Sequence, residues 1–162
     1  KCCNIINIVE ESTLYFADYL KNKNIELIFD TDIEEKMVEC DVDKIESVMC
    51  NLISNATKFT PEGGSIWVNI LDKEDFVEIV VKDTGIGIPK DKIGQVFQKF
   101  MRFKDYSKEI EGSGIGLYLV KTIVDMHNGE ITVNSEIGKG SEFIIKIPAK
   151  IKRTENFTQK II

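Results

Sequence analysis

The chain has 162 residues, 43% hydrophobic and 30% charged, the balance of a folded protein rather than a disordered one. Lys and Arg number 21 against 27 Asp and Glu, a formal charge of −6 with no long basic run, which argues against nucleic acid or anionic lipid as a primary partner. No stretch of about 18 apolar residues could span a bilayer, and the start lacks a basic segment followed by an apolar one.

The length is most simply one domain, and the start in Lys1-Cys2-Cys3 without Met suggests a fragment of a longer protein. Ile5, Ile6 and Ile8 predict a short strand over 5–8, then a helix to about Leu20 and a break at Asn22-Lys23-Asn24. Ile25, Leu27 and Phe29 alternate with Glu26 and Asp30 as in a strand, and Met37 to Cys40 reads as a second. Either Asp41 or Asp43 can cap the helix that follows.

That helix carries Ile45, Val48, Met49, Leu52, Ile53 and Ala56 on one buried stripe and ends near Phe59, because Pro61 disfavours helix at Thr60. After the Gly63-Gly64 loop, Ile66, Val68 and Ile70 predict a strand and Asp72 to Asp75 a hairpin turn. Phe76 to Lys82 is then a strongly apolar, central strand. Residues 90–113 are polar and mixed, with a short helix expected around Ile93 to Phe100. Lys104 to Gly112 has little periodicity, the pattern of a lid or binding loop.

A helix follows from Gly114 to Met126, ended by Asn128-Gly129. Ile131 and Val133 predict a strand, Gly138-Lys139-Gly140 a turn, and Phe143, Ile145 and Ile147 the returning strand before Pro148. His127, near a helix end where a cation suits the dipole, is expected to be structural. Residues 149–162 form a polar, basic-leaning tail. Cys2, Cys3, Cys40 and Cys50 show no C-x-x-C spacing, so with one His a zinc site is not expected, and a reducing cytosol is the simplest setting.

Three stretches carry chemistry. Asn51, Asn55 and Lys58, at i, i+4 and i+7, share one helical stripe; their carboxamides offer oxygen ligands to a hard cation and the ammonium suits a phosphate. A solvated polar face is the ordinary alternative. Asp83, at the mouth of a buried strand, suits an exocyclic amine, with Gly85 and Gly87 leaving room for a flat ring; a plain Asx turn is equally open. Gly112-Ser113-Gly114-Ile115-Gly116-Leu117 opens a helix whose free N–H groups can hold an anion, or serves only as a hinge. It is not a Walker loop, since no Gly-Lys-Ser or Gly-Lys-Thr follows.

Together, Asn51-Leu52-Ile53-Ser54-Asn55-Ala56-Thr57-Lys58-Phe59-Thr60-Pro61, Asp83 to Ile88, Val96-Phe97-Gln98-Lys99-Phe100 and Gly112 to Leu117 resemble the ATP-binding catalytic domain of bacterial sensor histidine kinases, over about Ile5 to Pro148. The resemblance implies a two-layer α/β sandwich of the α+β class, the Bergerat-type (GHKL) fold. A mixed sheet of roughly five strands would pack on three helices, with a mobile ATP lid. Residues 1–148 would be the catalytic domain and 149–162 a C-terminal tail.

By the same resemblance Asn55 would hold Mg2+, with Asn51 beside it and Lys58 near the phosphates of ATP. Phe59 would lie near the sugar or base. Asp83 would receive the adenine amine, Gly85, Gly87 and Ile88 would border its pocket, and Ser141 would add a hydroxyl where relatives more often carry Thr. Gly112, Ser113, Gly114, Gly116 and Leu117 would approach the phosphates. Arg102 would neutralise charge on the transferred group, as arginines do in phosphoryl transfer. Phe97 and Phe100 are better read as lid or core packing.

The hydrolases of this fold carry Glu where this chain has Asn51, and Asn cannot accept a proton from water. Transfer to a protein side chain is therefore expected in place of rapid hydrolysis. The implied partners are a helical dimerisation domain bearing the acceptor His, which this chain lacks, and a downstream response regulator. The fragment alone would be a monomer in the cytosol, part of a membrane-bound sensor. A serine kinase of the anti-sigma-factor type, an ATPase, or a non-catalytic nucleotide-binding regulator are the alternatives.

Overall fold

The computed structural model describes residues 1–101 and 113–149. Cys2–Asn4 forms β1, and Ile5–Leu14 forms α1. The strand expected over 5–8 is thus a helix. Ile5, Ile6, Ile8, Val9, Ser12 and Thr13 are all buried, a spacing that fits one helical face, and tertiary packing overrides the strand preference of the isoleucines. Asn4 begins the helix by accepting the Ile6 N–H, and the same oxygen accepts the N–H of Lys36. The helix predicted to reach Leu20 breaks at Tyr15–Phe16 and resumes as α2, Ala17–Asn22, with Asn24 in the left-handed region at φ 55°.

Glu26–Thr31 is β2 and Met37–Glu39 is β3; the latter pairs antiparallel with β1 in a separate two-stranded ribbon. Asp41, not Asp43, caps α3, Val42–Phe59, by accepting the Lys44 N–H. β4 (Ser65–Asp72) and β5 (Phe76–Asp83) form the expected hairpin, with Ile66 opposite Asp83 and Asp72 opposite Val77. The helix expected over 93–100 is shorter and earlier, α4 at Lys90–Ile93. Then come α5 (Gly116–Met126), β6 (Glu130–Glu136) and β7 (Gly140–Pro148).

The main sheet has the order β2-β4-β5-β7-β6, with β2 parallel to β4 and the other pairs antiparallel, so β5 is its central strand. Inward residues Ile66, Val68, Ile70, Val77, Ile79, Val81, Phe143, Ile145 and Ile147 meet α1, α3 and α5, which cover one face. The outward face is polar or amphipathic; there Lys82 lies over the ring of its cross-strand partner Trp67. This is the mixed five-stranded sheet on three principal helices that the resemblance implied, with α2, α4 and the β1–β3 ribbon added. Among the described residues no helix is long and apolar enough to cross a membrane.

His127 joins two of the three helices. Its Nε2 accepts the N–H of Asp41 at 3.1 Å, and its Nδ1 donates to the Ile123 carbonyl at 2.8 Å. These partners fix the neutral tautomer with the proton on Nδ1. The ring is structural, as expected, but it works as a strut from the end of α5 to the start of α3, not as a cation on the dipole. His127→Phe removes both bonds and is expected to cost about 1–2 kcal/mol, read as a lowered urea midpoint, with His127→Gln losing less.

Candidate functional site

Between the second half of α3, the loop after β5, the first turn of α5 and the start of β7 lies a partly enclosed cleft that opens to solvent. Ile86, Ile88, Pro89, Leu117 and Phe143 give it apolar walls, and Asn55, Ala56 and Phe59 form its α3 side. Asp83 and Ser141 supply its polar end. Phe97 stands outside the cleft, edge-on to Phe143 with ring centroids 6.3 Å apart, and so holds that wall in place.

Asp83 is 5% exposed. Its Oδ1 accepts the N–H of Gly85 at 2.8 Å and that of Ser141 at 3.3 Å. Among the described residues no hydrogen bond reaches Oδ2. Burial pushes this carboxyl above its ordinary value, and the two N–H donors oppose that rise. The hydroxyl of Ser135 ties the surroundings together: it donates to the Gly140 carbonyl at 2.8 Å and accepts the Ile88 N–H at 2.8 Å. Ser135 has one proton, already given to a carbonyl, so its 2.9 Å contact with Ser141 Oγ is donated by Ser141. Toward the cleft, Ser141 then presents lone pairs only.

The loop glycines are required first by the protein's own backbone. A methyl on Gly85 would lie 2.5 Å from the Phe59 carbonyl oxygen and 2.7 Å from Asp83 Oδ1, and one on Gly87 would run into the Glu136 carbonyl. Gly85 does not line the cleft and Gly87 does. The space expected for a flat ring at these two positions is therefore partly taken by intramolecular contact.

Of the other residues singled out in the sequence, Asn55, Phe59, Ile88 and Leu117 are brought together at the cleft. Asn51 lies one turn earlier on α3; its Nδ2 donates to the Ser47 carbonyl at 2.8 Å. A methyl on Gly116 would lie 2.7 Å from Asn51 Oδ1, so Gly116 lets the start of α5 close on α3. Lys58 is exposed and does not line the cleft. Ser113 makes a local turn, its Oγ accepting the Ile115 N–H at 3.3 Å. Gly114 is pinched against Phe100, whose N–H donates to the Gly114 carbonyl at 2.8 Å. Phe100 itself is 69% exposed rather than packed in the core. Among the described residues no side chain caps the first turn of α5, whose N–H groups could then receive an anion. Arg102, Gly112 and most of the expected lid lie outside the described residues, as does the tail from residue 150.

Sequence reasoning missed Ala56, Ile86, Pro89 and Phe143 as lining residues, and Ser135 and Gly140 as supports. Ala56 and Phe143 were legible only as core positions, while Ile86 and Pro89 lay inside the flagged loop. Nothing in sequence brings Ser135 to Ile88.

Residues 40–151 match the family model described as histidine kinase-, DNA gyrase B- and HSP90-like ATPase. The sensor histidine kinase WalK of Bacillus subtilis (strain 168) is 36% identical over 142 residues, which are 86% of this chain and 23% of WalK. The chain thus spans about a quarter of the length of that relative. Among solved structures, the catalytic domain of histidine kinase ThkA superposes with a TM-score of 0.82 at 30% identity, covering 92% of this chain and 97% of that one. ThkA in complex with response regulator protein TrrA gives a TM-score of 0.78 at 28% identity, over 92% of this chain and 41% of that one.

Gly138 and Gly140 separate backbone strain from close approach. Both have positive φ, +79° and +101°, but a methyl on Gly138 meets nothing within 4 Å, whereas one on Gly140 collides with the Asp83 carbonyl. Gly138→Ala is expected to cost roughly 1 kcal/mol from the left-handed backbone alone. Gly140→Ala should cost several-fold more in a thermal melt, with the Asp83–Ser141 pairing disrupted.

Proposed function

Because the chain belongs to the histidine kinase-, DNA gyrase B- and HSP90-like ATPase family, we propose that residues 1–148 form the ATP-binding catalytic domain of a protein histidine kinase working in two-component signalling. Bound in the cleft, Mg-ATP supplies the γ-phosphoryl group that passes to a histidine on a separate helical dimerisation domain. The observation that carries the reading is the buried Asp83 carboxylate, whose Oδ2 accepts no hydrogen bond from the described residues at the polar end of an apolar cleft. An acceptor held this way, beside a Ser141 hydroxyl that can only accept, fits the amine edge of adenine.

The residues present fit the rest of the nucleotide. Phe59, Ile88 and Leu117 would border the base and sugar beside Gly87, with Gly85 holding the loop against Phe59 from outside the cleft. The uncapped first turn of α5, with Ser113, Gly114 and Gly116 before it, would face the phosphates, joined by Lys58, Arg102 and Gly112. Asn55 would ligate Mg2+ with Asn51 beside it. A single protein ligand is enough, since Mg2+ usually keeps several waters and takes its remaining oxygens from substrate phosphates. Asn51 cannot take a proton from water, which favours transfer to a protein acceptor over hydrolysis.

Ile115, Tyr118 and Leu119 are each more than a third exposed at the start of α5, next to exposed Phe100. This apolar edge supports docking of the acceptor helices beside the phosphate end of the cleft. A response regulator would receive the phosphoryl group downstream, and the domain would work in the cytosol as part of a membrane-bound sensor. The direct test mixes this chain with the helical segment of its parent and γ-labelled ATP. Label on histidine supports the reading. Label on serine favours a serine kinase of the same fold, release as free phosphate favours an ATPase, and tight binding with neither favours a regulator.

Two variants test the site. Asp83 has a folded value above its unfolded one, so its protonated form stabilises the fold fully below the ordinary carboxylate range. That stabilisation is lost as pH rises through the ordinary value to the raised one, and at neutral pH the ionised group is a standing cost. Asp83→Asn is therefore expected to melt at or above the wild-type temperature without ligand at pH 7. Calorimetry should show it binding ADP at least tenfold more weakly with inorganic triphosphate unchanged; equal loss of both would remove the adenine assignment. Asn55→Ala should abolish the gain in ATP affinity on adding Mg2+, and a retained gain would move the metal elsewhere.

A further inference from the structure

The β1–β3 ribbon carries a pair of cysteines that the nucleotide reading does not use. In its antiparallel register Cys2 faces Glu39 and Cys3 faces Val38. Lys1 and Cys40 continue the ladder, the Cys40 N–H donating to the Lys1 carbonyl at 2.8 Å. Side chains alternate across a strand, so Cys3, Val38 and Cys40 share the inward face and Cys2 and Glu39 the outward one. Burial agrees: Val38 and Cys40 are 0% and 4% exposed, Cys3 is half-buried against the core, and Cys2 is exposed. The register makes Cys3 and Cys40 diagonal neighbours on that face, and the Cys3 sulfur is close enough to bear on the Cys40 thiol.

We propose that Cys3 and Cys40 are an oxidisable dithiol, closed to a disulfide by hydrogen peroxide or another small peroxide. The two thiols divide the work by position. Cys3 reaches solvent and meets the oxidant; Cys40 sits behind it, where burial and then the Cys3 sulfur push its thiol up to about 11 and keep it a protonated partner. The Cys3 thiolate attacks one peroxide oxygen, the O–O bond breaks, and the released hydroxide takes a proton to leave as water. Cys3 is then a sulfenic acid. Cys40 attacks that sulfur, its thiol proton leaves with the displaced hydroxide as a second water, and the S–S bond forms. Two thiols and one peroxide give one disulfide and two waters.

The closed bond would clasp the ribbon to the residue just before Asp41, the cap of the helix that carries Asn51 and Asn55. It would close a loop containing α1, α2 and β2, long enough that the unfolded chain loses much freedom. A transient bond of this sort is the usual form of disulfide in a reducing compartment. The proposal is independent of what the cleft binds.

The experiment treats the fully reduced chain with one equivalent of hydrogen peroxide, then alkylates and maps it by mass spectrometry without reduction. Expected is a loss of about 2 Da, a Cys3–Cys40 linked peptide, reversal by dithiothreitol, and a melting temperature raised by roughly 5–10 °C. Cys3→Ser should abolish the link, while C2S/C50S, which leaves only the pair, should retain it. Cys3 found as sulfinic acid with Cys40 still open to alkylation, or dimers through Cys2 as the only disulfide product, would overturn the assignment. The mapping on the unmutated chain stands even where a Cys40 variant fails to fold.

Discussion

A carboxylate only 5% exposed must either find donors or take up a proton, and most of the cleft follows from how this chain solves that for Asp83. One donor is local, the Gly85 N–H two residues on. The other, the Ser141 N–H, comes from the far end of the chain, because Asp83 and Ser141 are cross-strand partners in the β5–β7 ladder. Both donors go to the same oxygen. The second oxygen accepts no hydrogen bond from the described residues and faces the cleft, and this gives the cleft a chemical preference for a donor.

The surrounding polypeptide is shaped to keep that arrangement. Gly140 allows the β6–β7 turn to pass against the Asp83 carbonyl, and Gly87 allows the following loop to pass against the Glu136 carbonyl. Ser135 then ties the loop to the hairpin through the Ile88 N–H and the Gly140 carbonyl. Loop and hairpin thus hold each other, and the acceptor edge is set before any ligand arrives, which lowers the ordering cost of binding.

The helical side is fixed in a comparable way at two points. Gly116 meets Asn51 where α5 begins, and His127 meets Asp41 where α5 has ended. Contacts near both ends hold α3 and α5 as a unit over the sheet. The first turn of α5, to which no side chain among the described residues gives a cap, consequently brings Leu117 to the cleft alongside Asn55, with Asp83 as an acceptor-only carboxylate in the same lining. A site with acceptors at one end and donors at the other suits a molecule with an amine at one end and a polyanion at the other. That polarity matches the nucleotide the family is described as using.

The sequence by itself determined the periodic elements: the long helix with its apolar stripe, the alternating strands, the turn at Gly138 to Gly140, and three motif stretches whose order pointed to a nucleotide fold. These are local signals, carried by spacing within one element, so no distant contact was needed to see them. Where spacing fits two periods the sequence was ambiguous. Ile5, Ile6 and Ile8 read as strand but are helical, because only the presence of α3 beside them makes a helical face worth burying. Tertiary structure alone decided that β1 and β3 form a ribbon apart from the main sheet, that His127 is a neutral strut, and that Lys58 stays outside the cleft. It alone also decided that Ser135 and Gly140 support Asp83 and that Cys3 meets Cys40. Each of these depends on residues tens of positions apart being brought within hydrogen-bonding or van der Waals distance, and no pattern inside a single element records such a meeting.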